Sequence, residues 1–307
     1  MGSIPGNFAL AQAEPKAPAP WPAVEVIASV NKATMSLDIE WRSVIPTEER
    51  YAQCLAATKA GFPILVGPGK AIIERPCVLV GSGLSAITLL PEIRQRYERG
   101  EEIIAIKGAH DWLVKNDIIP RAAIALDPQK SRAKCFKRLR REVLYLCASQ
   151  MHSDTWEHLR GYQVLLWHSR IALEQEKRPG WGSAYLVPGC STTGNSAICL
   201  LYLLGRRRFE LYGFDSSLPP AASWHQSLMW WLKGRLLKLD GARVPKDRQV
   251  VEVLVGGERF HTTAELVMQA QEVPLLLQQL PEVKVNAHGR GYYQALLAAG
   301  KAQGWPV

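Results

Sequence analysis

The stretch that decides the fold is "CVLVGSGLSAITLLPEIRQRYERG", Cys77 to Gly100. It opens on an apolar run without polar alternation, the pattern of a strand buried on both faces. The run passes directly into Gly81-Ser82-Gly83 and then into an amphipathic stretch, predicted as a helix over 85–99. Ser85 stands where an N-cap belongs and Gly100 where the helix should stop. Two readings of the turn stand side by side. Small residues let backbone N–H groups and the positive end of a helix approach a phosphate. The same residues also make an ordinary tight connection, and neither the third glycine of the dinucleotide fingerprint nor Gly-x-x-x-x-Gly-Lys-Ser/Thr is present.

The unit repeats along the chain. Apolar runs at 102–107, 122–126, 142–148, 162–168 and 208–213 alternate with helical patterns near 109–116, 129–141, 153–161 and 189–205. Earlier, 24–30 reads as a short strand and 47–61 as a helix closed by Gly61. Later come "VVEVLVGG", a helix over 263–280, "VKVNA" and a helix over 290–301. Strands alternating with helices predict a Rossmann-like α/β fold, a mostly parallel sheet with helices on both faces. The expected organisation is a single domain over 24–307 with its core at about 75–290. Residues 1–23, rich in Ala and Pro, are expected to be disordered. Residues 216–248, with prolines, bases and Trp224, Trp230 and Trp231, read as an insertion or lid.

Composition narrows the class. A hydrophobic fraction of 47% and a charged fraction of 21% fit a globular protein, and no apolar run reaches the ~20 residues needed to span a bilayer. The first residues lack a basic region followed by an apolar segment, so no secretory signal is expected. Six cysteines form no C-x-x-C pair, which suits buried thiols in a cytoplasm better than disulfides or zinc. With 37 basic and 28 acidic residues the formal charge is +9, which favours an anionic partner.

Candidate residues cluster at predicted strand ends. In open α/β sheets ligands lie beyond the carboxyl ends of the strands. Asp127 in "AIALDPQ" and Asp215 in "ELYGFDSS" both occupy that rim, as metal or ribose ligands or as helix caps. Gly81, Ser82, Gly83 and Ser85 form one anion-facing loop. "GCSTTGNSA" (189–197) forms a second, in which Ser191, Thr192, Thr193 and Asn195 offer donors at a helix start. Of seven histidines, His261 in "GGERFHTTAEL" reads as lying at a helix start on this rim, with His225 of the insertion behind it. Lys130, Lys134, Lys137, Arg138 and Arg141 would share one helical face, either solvated or a patch for an anionic macromolecule. Arg206, Arg207 and Arg208 precede a strand, at the opposite rim, and read as solvated.

Three motifs in order then resemble one family. "CVLVGSGLSA", "DIIPRAAIALDPQ" and "GCSTTGNSAICLLYLLGRRRFELYGFDSS" are similar to the glycine turn, the Pro–Asp segment and the Gly–Asp signature of the hydroxymethylpterin pyrophosphokinase-like family. That group is itself similar to bacterial sialyltransferases and flagellin-glycosylation factors. The resemblance implies a nucleotide-dependent transferase acting on a small alcohol. One form is Mg²⁺-dependent pyrophosphate transfer from a nucleoside triphosphate. The other is transfer from a CMP-sugar with a late histidine as acid/base. It implies Gly81, Gly83 and Ser85 at the phosphates or ribose, Asp127 at ribose or metal, Ser191, Thr192 and Thr193 at the base or phosphate, and His261 as the late histidine. Leu84 departs from the family's usual proline. A non-catalytic nucleotide- or nucleic-acid-binding protein of the same fold is the competing expectation.

Overall fold

The apolar runs of the sequence become strands of one parallel sheet in the computed structural model, which describes residues 25–29, 47–69, 71–169, 186–188, 190–218, 250–280 and 282–302. In chain order these are β1 (Glu25–Ser29), α1 (Thr47–Lys59), β2 (Cys77–Val80), α2 (Ser85–Thr88), α3 (Leu90–Glu98), β3 (Glu102–Ile106), α4 (Ala109–Lys115) and β4 (Ala122–Ala125). There follow β5 (Leu144–Ala148), α5 (Asp154–His158), β6 (Gln163–Ser169), β7 (Leu186–Val187), α6 (Thr193–Leu203) and β8 (Arg208–Tyr212). The chain ends with β9 (Val250–Val255), β10 (Glu258–Thr263), α7 (Ala264–Gln279), β11 (Lys284–Ala287) and α8 (Tyr292–Ala302).

Among the described residues the main sheet has the order β11-β8-β2-β3-β4-β5-β6-β7, with every neighbouring pair parallel. Alternation along each strand feeds two cores. Cys77 and Leu79 of β2 pack with α6, α7 and α8, whereas Val78 and Val80 pack with residues of α1, α3, α4 and α5. Both faces are therefore covered, which is why the strands read as continuous apolar runs. The chain advances from β2 to β7 in one direction, then crosses to β8 on the other side of β2. The point of reversal lies between β2 and β8, two strands in from the β11 edge of the sheet.

Three local expectations are corrected. The helix expected over 85–99 is two helices meeting at Leu89, because Pro91 lacks the N–H that would continue the ladder. The basic helix expected over 129–141 is a single 3-10 turn, Lys130–Arg132, followed by irregular chain. Here side chains outbid the helix for the backbone: Asp111 accepts the amides of Lys137 and Arg138, and the Tyr145 hydroxyl accepts that of Arg140. Lys130, Lys134, Lys137, Arg138 and Arg141 are exposed but share no helical face. Finally, β9 does not join the parallel sheet. It is the middle strand of an antiparallel sheet, β1-β9-β10, whose hairpin turns at Gly256 and Gly257, both with positive φ.

Residues 1–23, His225 and the three tryptophans of the expected lid lie outside the described residues. Among those described, no helix is long and apolar enough to cross a membrane, and all six cysteines are free.

Candidate functional site

The carboxyl ends of the strands bring the predicted residues to one rim. β2 leads into Gly81, β3 into Lys107, β4 into Leu126 and Asp127, β5 into Ser149, and β8 into Gly213 and Asp215.

At the reversal point the rim is tightly packed. The amide of Gly81 donates to Tyr212 O at 2.7 Å and that of Gly83 to Gly213 O at 2.8 Å. A Cβ on Gly81 or Gly83 would lie 2.6 Å from Gly213 O, so both glycines are demanded by the neighbouring chain. Asp215 is buried, 6% exposed, and accepts the Ser85 amide at 2.8 Å together with the Ser85 hydroxyl. Ser85 is thus no N-cap; the cap position is Leu84, and the serine hydroxyl is spent on Asp215. Burial pushes the Asp215 carboxyl above its ordinary range, against the opposing pull of the Ser85 and Gln294 hydrogen bonds. The amides of Gly81, Gly83 and Ser85 therefore have partners inside the fold. Ser82, partly exposed, has no hydrogen-bond partner among the described residues.

Beside this turn lies a cation that the motif reading passed over. Lys107 closes β3 with φ 49°, a left-handed backbone rare outside glycine, and its amide continues the sheet to Ile124 O at 2.9 Å. Its ammonium meets Asp127 Oδ2 at 2.7 Å, with both side chains about a third exposed. The register pairs Val80 with Ala105, so Ser82 and Lys107 leave the sheet at the same level. The signal was in the sequence: "EIIAIK" is an apolar strand that ends on a charge at the ligand rim.

The second loop serves two purposes. Thr192 is a true N-cap, its hydroxyl accepting the Asn195 amide at 3.0 Å. Asn195 is fully buried and ties α6 to α7 through Gln269 O at 3.0 Å and to α8 through the Tyr293 hydroxyl at 3.3 Å. The Ser191 amide donates to both oxygens of Glu272 on α7. The hydroxyls of Ser191 and Thr193 are buried without a partner among the described residues. Gly194 packs on Phe214, where a Cβ would come within 2.6 Å, so the start of α6 abuts the loop after β8.

His261 is placed differently from its expected position. It lies within β10, two residues before the Thr263 cap of α7, and its side chain faces Glu252 across the hairpin at 3.7 Å. Its backbone carbonyl accepts the Leu218 amide at 2.7 Å, which fastens the hairpin to the segment after Asp215. No hydrogen bond or ion pair among the described residues joins its side chain to the rim. Arg206 departs from expectation too: it is nearly buried and paired with Glu102 at 2.6 Å.

Farther along the rim, Ser149 Oγ and His168 Nδ1 lie 2.7 Å apart, both buried. Burial lowers the His168 pKa to about 4, so its ring is neutral at pH 7. Among the described residues no three His, Cys, Asp or Glu side chains converge as metal ligands. Asp127 keeps Oδ1 without a partner among them.

The family model described as 6-hydroxymethylpterin diphosphokinase MptE-like matches residues 56–219, more than half of the 307-residue chain. The chain belongs to the MptE-like family. The matched span runs from α1 through the Asp215 loop, and so holds every MptE-like motif quoted above but ends before His261. Among solved structures, the MAf glycosyltransferase from Magnetospirillum magneticum AMB-1 matches with a TM-score of 0.55 and 15% identity. The alignment covers 84% of this chain and 42% of that one, so this MptE-like chain spans less than half of the glycosyltransferase's length. That likeness is one of fold. A comparison with curated proteins found no match.

Proposed function

We propose that this MptE-like chain is a nucleotide-dependent transferase that moves a diphosphate group from a nucleoside triphosphate to a small alcohol. The observation that carries the reading is Lys107: a cation on a left-handed backbone, level with the glycine turn and held ready by Asp127. Residues kept in such uncommon conformations cluster at functional sites. The family name supplies the reaction class, diphosphate transfer to a hydroxymethylpterin. In this reading the phosphates take the Lys107 ammonium from Asp127, with Ser82 and the buried hydroxyls of Ser191 and Thr193 as further donors. The acceptor hydroxyl oxygen then bonds to the β-phosphorus as the bond from that phosphorus to the bridging α-phosphate oxygen breaks. The nucleoside monophosphate leaves, and the freed Asp127 carboxylate takes the hydroxyl proton. Catalysis of this kind rests mainly on positioning and charge stabilisation. Mg²⁺ fits as a companion of the phosphates, since one carboxylate plus phosphate oxygens is a common way to hold it and Asp127 Oδ1 has no partner among the described residues.

A second reading, sugar transfer from a CMP-sugar, draws support from the glycosyltransferase fold and from His261, a histidine with a carboxylate, Glu252, 3.7 Å away. The non-catalytic reading would place an anionic macromolecule on the exposed bases of 130–141 and make binding steeply salt-dependent.

A thermal-shift and calorimetry panel of ATP, GTP, CTP and a CMP-sugar, with and without Mg²⁺, separates these. The expected outcome is triphosphate binding that Lys107→Met weakens at least about tenfold, the scale of one charge-assisted hydrogen bond. Release of nucleoside monophosphate in the presence of a hydroxymethylpterin should be lost in Asp127→Ala and kept in His261→Ala. The opposite pattern with a CMP-sugar would establish glycosyl transfer, and silence toward every nucleotide would end the enzyme reading.

A further inference from the structure

Next to Asp127 the rim changes character. Gln150, two residues beyond β5, is 4% exposed. Its Nε2 donates to Leu126 O at 2.8 Å, at the end of β4. That bond fixes the amide's orientation, since a flipped side chain would set two carbonyl oxygens against each other. Oε1 is therefore the free end, and it is buried without a hydrogen-bond partner among the described residues. Leaving a buried acceptor unpaired destabilises a fold, so such an atom calls for an explanation. The preceding residue, Ser149, is a neutral hydroxyl paired with His168, whose ring is neutral at pH 7.

We infer that Gln150 Oε1 is the acceptor for a ribose hydroxyl of the bound nucleotide, an inference that rests on the nucleotide reading above. The hydrogen bond to Leu126 places the amide over the end of β4, one strand from Lys107. Neighbouring strands are about 4.8 Å apart, the order of separation between a 5′-phosphate and its own ribose hydroxyls. A phosphate on Lys107 thus brings a hydroxyl to Gln150, and a neutral acceptor there adds no repulsion to an already anionic ligand. The carbonyl is covered, so the hydroxyl reaches it by displacing a neighbouring side chain.

The test uses the full chain and whichever of ATP, GTP, CTP and UTP binds, compared with its 2′-deoxy and 3′-deoxy forms by calorimetry. Wild type should bind the ribonucleotide about tenfold more tightly than one deoxy form, the scale of a single neutral hydrogen bond. In Gln150→Met, of similar length but without polar atoms, that ratio should fall to about one. Gln150→Asn, which keeps an amide but draws it back by a methylene, should lose the same discrimination and guards against failure of the first variant to fold. The ratio is internal to each protein, so a general loss of stability does not move it. A wild type that binds ribo and deoxy forms equally, or variants that keep the wild-type ratio, would overturn the inference while leaving the nucleotide reading intact. Absence of binding by all four triphosphates overturns both.

Discussion

Gly83 shows how little room the site has. Its missing Cβ would lie 2.6 Å from Gly213 O and 2.8 Å from the Asp215 carboxylate, backbone and a buried charge rather than a yielding side-chain end. Gly83→Ala should cost about 1–3 kcal/mol, as overpacking of a close-packed region does, and show as a lower Tm without any ligand present. His168 carries a second prediction. Its folded pKa of about 4 lies below its ordinary 6.5, so the unfolded chain takes up the proton first as pH falls. The stability it contributes is complete above pH 6.5, declines between 6.5 and 4, and amounts to about 3 kcal/mol. Denaturant titrations of His168→Gln across that window should show a flatter slope than wild type. An identical slope would mean that the ring is reached by solvent. At this scale the sequence was legible for residue type but not for pairing. Asp127 and Asp215 both stand on the rim as expected, yet only coordinates reveal that one meets a lysine and the other a serine 130 positions away.

At the scale of elements, the segment after β4 is the instructive one. Its sequence has helical spacing and good helix formers, but Asp111 accepts two of its amides and holds it irregular. Burial pushes the Asp111 carboxyl up, but hydrogen bonds from His110 and from the amides of Arg138 and Lys137 outweigh this and keep it below its ordinary range. Asp111→Ala should therefore speed hydrogen exchange at Lys137 and Arg138 while β4 and β5 remain protected. Unchanged exchange there would show that the segment is held by something else. Periodicity is a local property, and a partner that lies 26 residues back is invisible to it. The hairpin differs: Gly256-Gly257 after an apolar run is a turn signal, but the second strand, ERFHTT, is largely polar, and reading it as a helix start hid β10 and misplaced His261.

For the whole molecule, the alternation of strands and helices was enough to predict the parallel sheet, because both-face burial leaves an unmistakable apolar pattern. Strand order was not accessible in this way. That β8 lies beside β2 follows from a crossover through α6, and it is this crossover that sets Asp215 against the glycine turn. The small antiparallel sheet has a consequence that a deletion can test. β9 lies between β1 and β10, so removal of residues 1–46 leaves one edge of an apolar strand unpaired. Such a chain should self-associate, detectable by light scattering at concentrations where the full chain does not. A monodisperse truncated protein would argue that β1 is dispensable.

The same pairing bears on how the chain is made. Translation delivers β1 early, but its partner β9 begins only at Val250, after β2 to β8 have emerged. With synthesis at roughly 5–20 residues per second, more than ten seconds pass before those five residues can meet β9. β1 therefore stays without its β9 partner until the whole of β2 to β8 has been made.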